Sequence, residues 1–294
     1  MEELEAVGLI FAGTAGRMEE MRWLVGFVLF LPALLRAEEP EKTVQVRLIS
    51  EFQTISPGKK FYLGLHLQHP PGSHTYWKYP GIVGIATTVK WELPEGFTAG
   101  EIEWPAPQIV KMAGHEAQGY EGETLLMIPI SAPDAVATNS VTLTAKASWM
   151  CCGKTCQPAN DVPLSITLAV ADSPKTNAST NTLFEKFRAR VPRPNPALKA
   201  TAQRLANGIR LNFSSDPSVR YSFVPENSEV HFFTADGQVD TDQMQGIEMV
   251  KNGTFSMSLR LSETAAKVSP SLPGIVRLPQ ADGSPIYVEI DPKY

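Results

Sequence analysis

Alternation with a period of two residues is what most restricts the fold of this chain. Lys60–Gln68 reads KFYLGLHLQ, so Phe61, Leu63, Leu65 and Leu67 fall on one side of an extended strand. Thr43–Ser50 repeats the pattern through Val44, Val46 and Leu48. Such segments need a sheet with at least one covered face. Further strands are expected at Thr87–Glu92, Thr124–Ile130, Ser140–Trp149 and Val162–Val170. The 24 prolines and 21 glycines are spread along the chain, which fits short strands joined by turns and argues against a helical protein. An all-β fold of sandwich type is expected.

The alternation is interrupted between two β-rich segments. Asp172–Thr182 (DSPKTNASTNT) is polar and turn-rich and reads as a linker. Leu183–Val191 reads as one short helix, with Leu183, Phe184, Phe187 and Val191 on one side and Asn181 or Thr182 as its cap. Pro192, Pro194 and Pro196 end it, and alternation returns in Gly208–Phe213, Glu229–Thr234, Gly253–Leu261, Gly274–Leu278 and Pro285–Ile290. The expected boundaries are 41–172 for a first β-domain, 173–196 for a linker with the helix, and 197–294 for a second, smaller β-domain. The last contains no cysteine and reads as structural.

At the front, Met21-Arg22 precede the apolar run Trp23–Leu35, and Arg36-Ala37 lead into Glu38-Glu39-Pro40-Glu41. Basic, apolar, then small is the order of a secretory signal peptide. Residues 1–37 are read as that signal, with cleavage after Ala37 and Met18 or Met21 as alternative starts, because residues 1–20 are acidic. The apolar run is too short for a membrane span, which takes about 20 residues. The mature chain is expected to be exported and soluble, with no span of its own, in an oxidising compartment. A formal charge of −5 and a pI near 5.6 argue against nucleic acid or an anionic membrane surface as partner.

All three cysteines fall in the run Trp149-Met150-Cys151-Cys152-Gly153-Lys154-Thr155-Cys156-Gln157-Pro158. In the chain-entropy model a bridge around about five residues contributes roughly 2 kcal/mol, against nearly 4.7 kcal/mol for about 100 residues. A bond of such small structural value, at a Gly-Lys turn, suits being made and broken. Lys154 lies between the sulfurs in sequence and favours a thiolate electrostatically. A structural hairpin disulfide is the competing reading. A metal site is disfavoured because no fourth ligand stands nearby. Cys151 and Cys152 point to opposite faces if the strand continues through them.

Trp149-x-x-Cys152-x-x-x-Cys156-x-Pro158 resembles the redox hairpin of the N-terminal periplasmic domain of the DsbD and ScsB thiol:disulfide interchange proteins. Met150 stands where leucine is usual, and Cys151 where a non-cysteine residue is usual. Upstream, His74-Thr75-Tyr76-Trp77-Lys78-Tyr79-Pro80-Gly81 with Gly84 resembles the family's H-x-Y-W-x-x-P-G-x-x-G block. Trp91–Phe97 (WELPEGF), Glu101–Pro107 (EIEWPAP) and Gly119–Glu123 (GYEGE) follow in family order. The resemblance covers about residues 43–170, with Val230–Phe233 and Gly274 as a looser echo of the second β-domain of ScsB-like members.

The resemblance implies an immunoglobulin-like β-sandwich in the periplasm, working by dithiol–disulfide exchange without cofactor or metal. It implies Cys152 and Cys156 as the catalytic pair, Cys156 as the partner-facing sulfur, and Cys151 left free or buried. The implied partners are a DsbD/ScsB-like membrane electron donor and exported thiol–disulfide proteins as acceptors. Because the sequence ends at Tyr294 without the membrane domain of full-length members, the donor is expected on a separate chain. Lys111–Tyr120 (KMAGHEAQGY) resembles in position a flexible cap over the disulfide.

Tyr76, Trp77 and Tyr79, in a Pro/Gly-rich stretch, are read together with Tyr120 as a partner surface. Trp91 and Trp149 are read as core. His66 is expected on a strand and His69 and His74 on a loop, which argues against shared ligation of a metal. The rival to an exchange protein is a non-catalytic exported adhesion or assembly module with a structural disulfide.

Overall fold

The alternating segments form strands where the period-two pattern puts them. The computed structural model describes residues 43–215, 230–250, 254–263, 269–280 and 284–294. The expected signal peptide and its cleavage site lie outside the described residues. The chain passes through β1 (Gln45–Ser50), β2 (Phe52–Ile55), β3 (Lys60–Gln68), β4 (His74–Tyr76), β5 (Thr88–Glu92) and β6 (Thr98–Ala99). Next come β7 (Gln108–Met112), β8 (His115–Glu121), β9 (Glu123–Ser131), the long strands β10 (Ser140–Cys152) and β11 (Cys156–Val170), and β12 (Lys175–Thr176).

Helix α1 (Asn181–Arg188) leads to β13 (Leu198–Leu205), β14 (Gly208–Ser215) and β15 (His231–Thr234). The last strands are β16 (Gly246–Val250), β17 (Thr254–Arg260), β18 (Gly274–Pro279) and β19 (Pro285–Ile290). Among the described residues no helix is long and apolar enough to cross a membrane.

The first half is an immunoglobulin-like β-sandwich. One sheet runs β1-β3-β9-β6, the other β12-β2-β11-β10-β4-β8-β7, with β5 also pairing with β10. Phe61, Leu63 and Leu65 from β3 and Leu126 and Ile128 from β9 meet Leu143 and Ala145 from β10 in a buried core. Trp91, Trp104 and Trp149 pack, partly buried, against it.

The first sheet is covered on its other face too. Leu125 and Met127 alternate with Leu126 and Ile128, and they receive Phe184 and Phe187 from α1. The helix starts earlier than its expected cap: the N-cap is Thr180. Its hydroxyl donates to the Ser50 carbonyl at 2.6 Å instead of capping α1, which ties the helix start to β1.

The second half contains the sheets β13-β14-β17-β16 and β15-β18-β19. Sequence separates the halves, yet Lys42–Tyr294 forms one compact unit. The reason lies in β15 and β18. Phe232 faces Val276 across the ladder, and both enter the core of the second half. Phe233 faces Ile275, and both enter the core of the first half. Two paired strands thus bury both faces, one in each core.

One irregularity positions the cysteines. β10 pairs with β11 from Ser140↔Ala169 to Ala147↔Val162, then resumes at Trp149↔Ala159. β11 therefore carries one residue more than β10 across the gap, a β-bulge. Asp161 sits there with φ of 49°, and its N–H donates to Ser148 Oγ at 2.8 Å. Beyond the bulge Cys152 stands directly opposite Cys156.

Candidate functional site

The disulfide closes the free end of the β10–β11 hairpin. Cys152 and Cys156 are bonded with their Cα atoms 4.1 Å apart, and the Gly153 N–H donates to the Thr155 carbonyl at 2.9 Å to tighten the turn. The two sulfurs have unequal surroundings. Cys152 is completely buried, whereas Cys156 is exposed. Cys151 is a free thiol, 5 % exposed, turned into the sandwich core on the opposite face.

Cys152 is packed with Tyr76, Val110 and Ala117, with Val83, Met112 and Met150 at the edge of this cluster. His74 is its neighbour on β4. His74 Nε2 lies 3.2 Å from the Tyr76 hydroxyl, and the two rings meet edge to face. Burial lowers the His74 pKa, so the imidazole is neutral at pH 7. Burial also raises that of Tyr76, with the Cys151 side chain adding to the shift. The Cys152 sulfur therefore lies in surroundings of low polarity beside a neutral His–Tyr pair, which favour a protonated thiol over a thiolate. Gly84 closes the cluster from the β4–β5 connection. Its φ is 97°, and a Cβ there would come within 2.3 Å of the Tyr76 ring, so only glycine fits.

The cap expected at Lys111–Tyr120 is the β7–β8 hairpin. Met112 pairs with His115 across a two-residue turn. Ala113 and Gly114 both have left-handed φ, at 52° and 88°, as a turn with the strand twist requires. The hairpin lays the Met112 sulfur 3.7 Å from Cys156 Sγ. Thioether and disulfide contact is soft and non-directional, so Met112 shields the exposed sulfur without bonding to it. Nothing in sequence singles out Met112, since its place follows from strand pairing.

The aromatic partner surface does not hold. Tyr76 and Trp77 are completely buried and Tyr120 is 3 % exposed. The Pro/Gly-rich stretch begins inside the sheet as β4, between β8 and β10, and carries its aromatics into the core. The Tyr120 hydroxyl donates to the Pro105 carbonyl at 2.7 Å, and burial raises its pKa well above the usual value. Tyr79 is half-buried and its hydroxyl closes on Gly237 of the second half. The histidines also have separate partners: His66 meets Arg47 and Glu123, His69 meets Gly122 and Thr75, and His74 meets Tyr76.

Residues 42–165 match the model of the family described as "Thiol:disulfide interchange protein DsbD, N-terminal". They are a DsbD N-terminal domain. The crystal structure of the N-terminal periplasmic domain of ScsB from Proteus mirabilis resembles the chain with a TM-score of 0.58 at 18 % identity. The alignment covers 86 % of this chain and 94 % of that one, so the likeness of fold extends past the DsbD N-terminal domain into the second half.

Two further structures align much more loosely. Spo0M from Bacillus subtilis has a TM-score of 0.21 at 9 % identity, over 85 % of this chain and 91 % of that one. The sialic acid binding region of a Streptococcus sanguinis adhesin has a TM-score of 0.25 at 9 % identity, over 84 % and 76 %. No curated protein sequence matches the chain. The DsbD N-terminal domain is a thiol:disulfide interchange domain, and here its cysteine pair occupies the hairpin end beneath Met112.

Proposed function

We propose that this protein is a periplasmic electron relay that exchanges dithiols and disulfides through Cys152 and Cys156. The unequal exposure of the two bonded sulfurs supports this reading most directly. A partner thiolate can reach only Cys156 Sγ. It forms a mixed disulfide there, the Cys152–Cys156 bond breaks, and Cys152 leaves as a thiolate that takes up a proton. The partner's second thiol then attacks its own sulfur in the mixed disulfide and releases Cys156. Two electrons have passed, so the partner dithiol is now a disulfide and the pair is two thiols.

In the second half-reaction the Cys156 thiolate attacks the disulfide of an exported acceptor, and Cys152 resolves the mixed disulfide. The donor is a DsbD/ScsB-like membrane protein, and the acceptors are exported thiol–disulfide proteins. The stoichiometry is complete without metal or organic cofactor.

The reduction potential tests this. Disulfide carriers span roughly −270 to −120 mV, whereas structural disulfides fall below about −300 mV. Equilibration with glutathione or thioredoxin should place the pair within the carrier range. A value well below −300 mV would assign the bond a structural role.

A further inference from the structure

The hairpin that bears Met112 is held from the other half of the molecule. Among the described residues β7 is the edge strand of its sheet and pairs with β8 alone. β8 joins β4 only at Gly119–Glu121, so the end of the hairpin that carries Met112 and His115 is two-stranded and gains little stability from strand pairing by itself. Support comes from Asp242, between β15 and β16. One carboxylate oxygen lies 2.6 Å from His115 Nδ1, and the other accepts the Glu116 N–H at 2.7 Å. The Thr241 hydroxyl donates to the Glu116 carbonyl at 3.3 Å, so the Glu116 residue is gripped on both its backbone groups. The Asp242 loop is itself braced, since the Asp242 N–H donates to Asp240 Oδ1 and the Asp240 N–H to the Arg260 carbonyl. Farther along β8, Gln118 Nε2 donates to the carbonyls of both Tyr79 and Thr234.

These contacts reach the disulfide in few steps. His115 is the cross-strand partner of Met112, and Met112 Sδ touches Cys156 Sγ. An ordinary exposed ion pair would matter little. This one differs in having two charge-assisted contacts, one of them to a backbone N–H of the strand it holds. The His115 hydrogen bond first, then the Glu116 N–H, lowers the Asp242 pKa, so the carboxylate is ionised at neutral pH.

We propose that Asp242 is a positioning residue that governs access to Cys156 by holding the β7–β8 hairpin, and Met112 with it, over the sulfur. This rests on the exchange reading, and gives the second half of the chain a part in the rate of exchange.

The test is the rate at which tris(carboxyethyl)phosphine reduces the Cys152–Cys156 bond in the full chain, with thermal melting as the check on folding. Asp242→Ala should react about fivefold faster, the scale set by loss of a partly exposed charge-assisted contact. His115→Ala, which keeps the Glu116 contact, should react faster by a smaller factor. Met112→Ala should be faster as well, and Asp242→Ala should add nothing in the Met112→Ala background. That non-additivity separates positioning from two other effects, general loosening and removal of a negative charge, which would both persist without Met112.

A wild-type rate in folded Asp242→Ala overturns the proposal, and so does an undiminished fivefold step in the Met112→Ala background. If Asp242→Ala fails to fold, the His115→Ala and Met112→Ala pair decides the matter by the same comparison of rates. Phosphine reduction is irreversible, so the rate ratios can be read whatever the reduction potential. The exchange reading fails separately, on that potential.

Discussion

Cys156→Ser should lose disulfide exchange completely, while Cys152→Ser should become locked to its partners as a long-lived mixed disulfide. The difference follows from burial. Cys152 is completely buried beside Tyr76, Val110 and Ala117, so its thiol in the Cys156→Ser variant is out of reach of a partner sulfur. Cys156 is exposed, and in Cys152→Ser it still attacks, but the resolving thiol is gone. Cys151 cannot stand in, because it faces the sandwich core on the other side of β10.

Both variants should stay folded, since a bridge closing so short a loop contributes only about 2 kcal/mol. Non-reducing electrophoresis with a thioredoxin-type partner, followed by peptide mapping, reads the outcome. Equal trapping by the two variants, or unfolding of either, would mean that the pair is not divided into an attacked and a resolving sulfur.

Phe233→Ala should be the most damaging single truncation for the coupling between the halves. Phe233 is 1 % exposed and leaves its own sheet to enter the core of the first half beside Ile275. Removing a buried phenyl ring of this kind costs about 3–5 kcal/mol. The effect should also be qualitative. Wild-type protein should unfold in one calorimetric transition, whereas Phe233→Ala should separate into two as the halves lose their shared core. Phe232→Ala, one residue away and turned into the second core, should destabilise the second half without that separation. A loss under about 1 kcal/mol in Phe233→Ala would mean that the two cores are not joined through this ring.

What the sequence discloses here is what local pattern can carry. The alternation in Lys60–Gln68 and Ser140–Trp149 found the strands, because side-chain direction along a strand depends only on parity. The stripe Leu183, Phe184, Phe187 found α1 but missed its cap, since Thr180 answers to Ser50, far away in the chain. The aromatics of the HTYWKYPG run were misread because prolines and glycines beside them suggested a loop. β4 is in fact a three-residue strand, short enough for its flanking turns to dominate the composition.

The tie between His115 and Asp242 crosses 127 positions, and no pattern in either neighbourhood announces it. The joined cores, by contrast, had left a trace. Phe232 and Phe233 are consecutive, and two large apolar residues in succession on a strand mean that both faces are covered.

The bulge at Asp161 decides which of two adjacent cysteines Cys156 can reach. Were β10 and β11 to run in unbroken register from Ala147↔Val162, Gln157 would stand opposite Cys152 and Cys156 opposite Gly153. Cys156 would then project from the same side of the sheet as Cys151, diagonal to it, and away from Cys152. One added residue reverses that parity. Cys151 and Cys152 are chemically the same side chain in neighbouring positions, so the choice between them is made by counting, at a place in β11 that touches neither sulfur.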